Sequence, residues 1–130
     1  MIEEKVATYL KSFLSKAMDD YVQGVWSQVP QNIHYPYIYF DIEEVHVIPF
    51  DNRVLSVFNL KIVSRYRGQK EILSLLSRLR FHFEGRFNEK ASFKIKIETP
   101  TKLNSDNVTR EINLKVTAIL HESILGDQIS

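Results

Sequence analysis

The residues able to do chemistry are few and scattered. Four histidines, His34, His46, His82 and His121, are the first candidates for a metal or a proton relay. No two stand four apart, and none belongs to a His-Glu-x-x-His arrangement, so each reads as a surface or loop side chain. Carboxylates occur as the adjacent pairs Glu3-Glu4, Asp19-Asp20 and Glu43-Glu44. On a strand, Glu43 and Glu44 point to opposite faces and cannot form an acid–base couple. Glu43 shares a face with Asp41 instead, a two-carboxylate row suited to solvent or to protecting a sheet edge. Glycines at 24, 68, 85 and 126 are too dispersed for a phosphate-cradling loop. No Gly-x-Ser-x-Gly elbow supplies a nucleophile. The absence of cysteine removes a thiol nucleophile, a thiolate metal site and a disulfide scaffold. Asn107-Val108-Thr109 has the form of a glycosylation sequon but lacks the secretory context that would give it meaning. The expectation is a non-enzymatic protein with no metal and no cofactor.

Binding is the remaining class. Arg65, Tyr66 and Arg67 interleave cations with an aromatic, and Lys94 and Lys96 share one strand face. RNA-binding sheets use such mixtures, stacking bases on rings and tracking phosphates with cations. Here the aromatics fall mostly at alternating apolar positions, as core residues do, and a net charge of +1 falls short of a basic footprint. The charge is unevenly spread. Residues 1–50 carry 3 basic side chains against 7 acidic, whereas 51–98 carry 11 against 5. An acidic front and a basic middle attract a polyanion through the middle, or let one copy's front meet another's middle, or simply face solvent.

The elements that must position these residues are set by periodicity. Val6, Leu10, Phe13, Leu14, Ala17 and Tyr21 draw one apolar stripe on a helix starting near residue 2. Glu3 and Glu4 suit its positive end, and Gly24 supplies the stop. Pro30 and Pro36 make the next stretch an extended connection that enters a strand at Tyr37 and leaves it near Ile48. After a turn at Pro49–Asn52, residues 54–66 form a second strand. Ile72, Leu75, Leu76 and Leu79 mark a second helix reaching Phe83, with Gly85 as its cap. Phe93, Ile95 and Ile97 then alternate with Lys94, Lys96 and Glu98 in a strand that Pro100 closes. Ile112, Leu114, Val116, Ala118 and Leu120 alternate in the last one.

With 130 residues, 44% of them hydrophobic, the chain supports one core and no spanning apolar segment. Its charged start is unlike a secretory signal. A soluble intracellular domain over residues 1–122 is expected, with a flexible tail over 123–130. The order α-β-β-α-β-β, with alternating strands, implies an α+β two-layer sandwich: an antiparallel four-stranded sheet with two helices on one face.

The stretch from Val25 to Phe40, with Val29-Pro30-Gln31 and then Tyr35-Pro36-Tyr37-Ile38-Tyr39, resembles the tail-completion (tail-terminator) proteins of long-tailed bacteriophages, prophages and gene-transfer agents. Two further pieces agree with that family in order and spacing: Ile62-Val63-Ser64-Arg65-Tyr66-Arg67-Gly68, and Asp106-Asn107-Val108-Thr109-Arg110. The family often has Gly after that Asp, where this chain has Asn107, and residues 83–92 are more charged than the family's pattern. The resemblance implies a structural protein that forms a ring, commonly a hexamer, at the head-proximal end of the tail tube. There it would end tube polymerisation and join the head connector. Its partners would be itself, the tail tube protein and the connector, with DNA only passing through the ring. Its location would be the bacterial host cytoplasm during assembly and then the virion tail. A closed ring needs unlike patches that meet. The candidate residues are Asp41, Glu43 and Glu44 facing Arg53, Arg65 and Arg67 of a neighbour. A small nucleic-acid-binding α+β module is the alternative, and a small-molecule enzyme or carrier a third reading.

Overall fold

The computed structural model describes residues 2–66, 68–84 and 90–125. Helix α1 spans Ile2–Met18 and turns Val6, Leu10, Phe13, Leu14 and Met18 inward. It ends well before Gly24, closed by the Tyr21 and Val22 amides donating to the Met18 carbonyl. Gly24 has a different role. A Cβ there would lie 2.5 Å from the Trp26 indole nitrogen, so only glycine lets that ring lie against the backbone.

The expected extended connection contains a short strand, β1, Val25–Trp26, which runs parallel to β2, Tyr37–Ile48. Next come β3, Arg53–Ser64, helix α2, Lys70–Glu84, β4, Ala91–Leu103, and β5, Arg110–His121. The sheet order is β1-β2-β3-β5-β4. The sheet therefore has five strands and is mixed, where four antiparallel strands were expected. The difference is β1, whose two residues are too few to show a period. The four long strands are antiparallel to their neighbours.

Pro100 does not close β4, which continues to Leu103. Proline removes a ladder donor, but β4 is an edge strand whose pairing is already irregular between Ile97 and Lys102, where that loss is tolerated. The body also reaches past residue 122. A single 3-10 turn, Glu122–Ile124, leads to Leu125, which is buried. Residues 126–130 of the expected tail, and Gly85, lie outside the described residues.

Both helices cover the sheet face formed by Ile38, Phe40, Phe58, Leu60, Ile62, Ile112, Leu114 and Val116. Four aromatic rings bind the layers together. Phe13 of α1 stacks on Phe83 of α2 at 5.6 Å, and Phe93 of β4 lies 4.6 Å from Phe83 and 5.1 Å from Phe13. Phe58 of β3 meets Phe83 edge-on at 6.5 Å. Within the described residues no helix is long and apolar enough to cross a membrane.

Phe83 touches all three other rings and is buried, whereas Phe81, two residues earlier, is exposed. Phe83→Ala is expected to remove about 3–5 kcal/mol of stability in urea unfolding, and Phe81→Ala less than about 0.5 kcal/mol.

Candidate assembly surface

Among the described residues, the other face of the sheet carries no helix and is largely polar. Strand register brings Asp41 opposite Asn59 and Glu44 opposite Val57, with Glu43 as an extra residue between Ile42 and Glu44. This bulge changes the phase of the strand. Simple alternation put Glu44 on the face opposite Asp41, but after the bulge it joins Asp41 on the open face. Glu43 also reaches over that face, its carboxylate 3.2 Å from the Lys115 ammonium of β5. A second irregularity, between Ile97 and Thr99, sets Glu98 of β4 at 3.8 Å from the same ammonium. All three acidic candidates thus lie together, with Lys115 beside them. Ion pairing with Glu43, aided by Glu98 and Glu44, raises the Lys115 pKa above its ordinary value. Such a group contributes stability at lower pH, lost as pH rises through the raised value. Lys61 and Glu111 approach at 3.9 Å, and His46 and Glu44 at 3.7 Å. Apart from the half-buried Glu111, these pairs are well exposed to solvent, so they order the surface more than they stabilise the fold.

Two of the basic candidates, Arg53 and Arg65, lie far apart. Arg53 begins β3 and pairs with Asp51 at 3.4 Å. Arg65 lies just past the far end of that strand and stacks over Tyr35, 5.3 Å from its ring centre. The length of β3 separates the two arginines, roughly 40 Å at the usual rise per residue. Arg67 lies outside the described residues. Sequence reasoning missed Lys115 of β5 as the partner of Glu43. The alternation of β4 marked Lys94 and Lys96 as exposed, but only the register shows that they share a face with Asp41 and Glu44.

Trp26 is half-buried, with the Lys11 ammonium of α1 5.6 Å from its ring centre. Tyr35 packs against Tyr37, whose pKa is raised by burial, then by Tyr35 and Glu111. Phe93 turns toward the core, away from Lys94 and Lys96, whereas Arg65 lies over the Tyr35 ring. Shallow hollows flank α2, where Arg78 lies 3.9 Å over the Tyr21 ring. Among the described residues no three His, Asp or Glu gather as metal ligands would.

The loop before β5 shows how Asn107 stands where glycine is common. Its φ is +62°, a left-handed conformation that asparagine accepts more readily than most residues. Asp106 fixes the turn. Its carboxylate accepts from the Val108 amide at 2.9 Å, the Thr109 amide at 2.8 Å and the Thr109 hydroxyl at 2.6 Å.

No family model and no curated protein matches this sequence. Solved structures do. One is a chain from the virion of a native gene transfer agent (GTA) particle, with a TM-score of 0.51 and 11% identity. The match covers 92% of this chain and 90% of that one. The likeness is one of fold. It runs through both helices and the sheet rather than a local motif.

The Thr109 hydroxyl, then the Thr109 and Val108 amides, hold the Asp106 pKa down to about 2. A lowered carboxylate pKa gives stability present above the ordinary value and lost as pH falls through the lowered one. The stability gap between wild type and Asp106→Asn in urea unfolding is therefore expected to be full above pH 3.8 and to close toward about 2.

Proposed function

We propose that this chain is a structural component of a phage-like particle, a tail-completion protein that forms a ring at the head-proximal end of the tail tube. It acts there as a stop for tube polymerisation and as a seat for the head connector, without catalysing a reaction. The observation that carries this reading is the end-to-end fold match to a chain of a gene transfer agent virion, 92% of one chain against 90% of the other. The sequence motifs around Pro30, Pro36 and Asp106 point the same way independently. Surface chemistry supports it too, since the open sheet face carries charged groups of both signs. A capping ring needs a broad, polar, self-complementary surface and no reactive centre.

Deleting this chain from the genome that encodes the particle tests the proposal by electron microscopy. Tubes of uncontrolled length, unattached to heads, are expected, with normal particles restored by a plasmid copy. Tubes of normal length joined to heads in the deletion strain would contradict it.

A further inference from the structure

Among the described residues, no further strand pairs with either long edge of the sheet where the edges lie at the same level. On one side, β1 pairs only with Ile38 and Tyr39, so among the described residues no strand pairs with the outer side of β2 from Asp41 to Ile48. On the other side, β4 is the last strand, and its pairing with β5 is regular from Ala91 to Ile97. Across the sheet, Lys94 pairs with Thr117, Thr117 with Val57, and Val57 with Glu44. The next such row runs Lys96, Lys115, Asn59, Asp41. Each row ends in a lysine at one edge and a carboxylate at the other, on the same open face. The helix-side rows end in apolar pairs: Ala91 with Val47, Phe93 with Val45 and Ile97 with Phe40. Of these, Val47 is 54% exposed and Ile97 38% exposed. Three of the seven acidic residues of the front thus lie on β2 at one edge, and Lys94 and Lys96 of the basic middle lie on β4 at the other.

We propose that the occupant of each edge is a second copy of this chain, with β4 of one copy pairing with β2 of the next. This rests on the ring reading and names its seam. Strand direction permits the pairing. Successive long strands alternate in direction, so β4 runs opposite to β2, and a rotated neighbour presents its β2 antiparallel to β4. Level pairing sets Lys94 against Glu44 and Lys96 against Asp41 on one face, with Ile97 and Val47 adding apolar contact on the other. The joined patches differ, so the contact is head-to-tail and does not stop at a dimer; it makes a ring where the rotation between copies closes. The lysines, Pro100 and the irregularity after Ile97 blunt the β4 edge against indiscriminate strand addition. A carboxylate-bearing edge offsets the lysines and is selected by them.

The chain has no cysteine, so introduced thiols report the seam directly. Directly opposed strand residues have the Cα spacing that a disulfide needs. Lys94→Cys and Glu44→Cys variants, both at exposed positions, are oxidised singly, mixed, and combined in one chain. Native mass spectrometry of the wild type runs alongside. The mixture should give a cross-linked pair containing one copy of each variant. The doubly substituted chain should give a ladder ending at one closed species. Lys94→Glu with Lys96→Glu should weaken association about tenfold, and adding Asp41→Lys with Glu44→Lys should restore it. Wild-type oligomers whose mixed variants do not cross-link would overturn this seam and leave the ring reading standing. So would a Lys94→Cys variant that cross-links to itself, which requires like edges to meet. A wild type that is monomeric at every concentration would overturn both.

Discussion

The interlock of Phe13, Phe58, Phe83 and Phe93 is the constraint on which the rest of the molecule depends. Each ring comes from a different element: the two helices, the central β3 and the edge strand β4. Aromatic pairs at these separations bury large apolar areas and prefer specific geometry. They therefore fix both helices on one face of the sheet. Among the described residues, two helices committed to one face leave the other face bare, and no strand pairs with the far half of β2 or the outer side of β4.

That bare surface is ordered by irregularity. The extra residues in β2 and β4 turn Glu43 and Glu98 toward the single ammonium of Lys115. The same bulge brings Glu44 onto the face that holds Asp41. Without it, the acidic residues of β2 would be divided between the core side and the solvent side. The bulge thus concentrates charge on one face while the opposite side of the strand continues to supply Val45 to the core.

Much of the fold was legible because its signals are local. The 3.6-residue stripe from Val6 to Phe13 and the strict alternation of Phe93 to Ile97 and Ile112 to Leu120 depend only on near neighbours. The limits of β2 came from Pro36 and Pro49 for the same reason. Three features were not legible. The two residues of β1 have no period, and their pairing depends on the close approach of Trp26 to Gly24. Continuation of β4 through Pro100 depends on its being an edge, which only the strand order reveals. The acidic trio could be named, but its grouping turned on a bulge, and the pairing of Glu43 with Lys115 on the register of β2, β3 and β5. Arg53 and Arg65 looked suitable by charge alone, and β3 holds them at opposite ends. Sequence shows which side chains are charged; topology decides which of them can meet.

The central claim is that unlike charged patches join copies of this chain into a closed assembly. Absolute mass by light scattering on a sizing column, over a wide concentration range at low and moderate salt, tests it most directly. The account predicts a shift from 15.3 kDa to one closed oligomer as concentration rises, with salt moving the transition to higher concentration by screening the exposed charges. A mass of 15.3 kDa at every concentration and salt would contradict it.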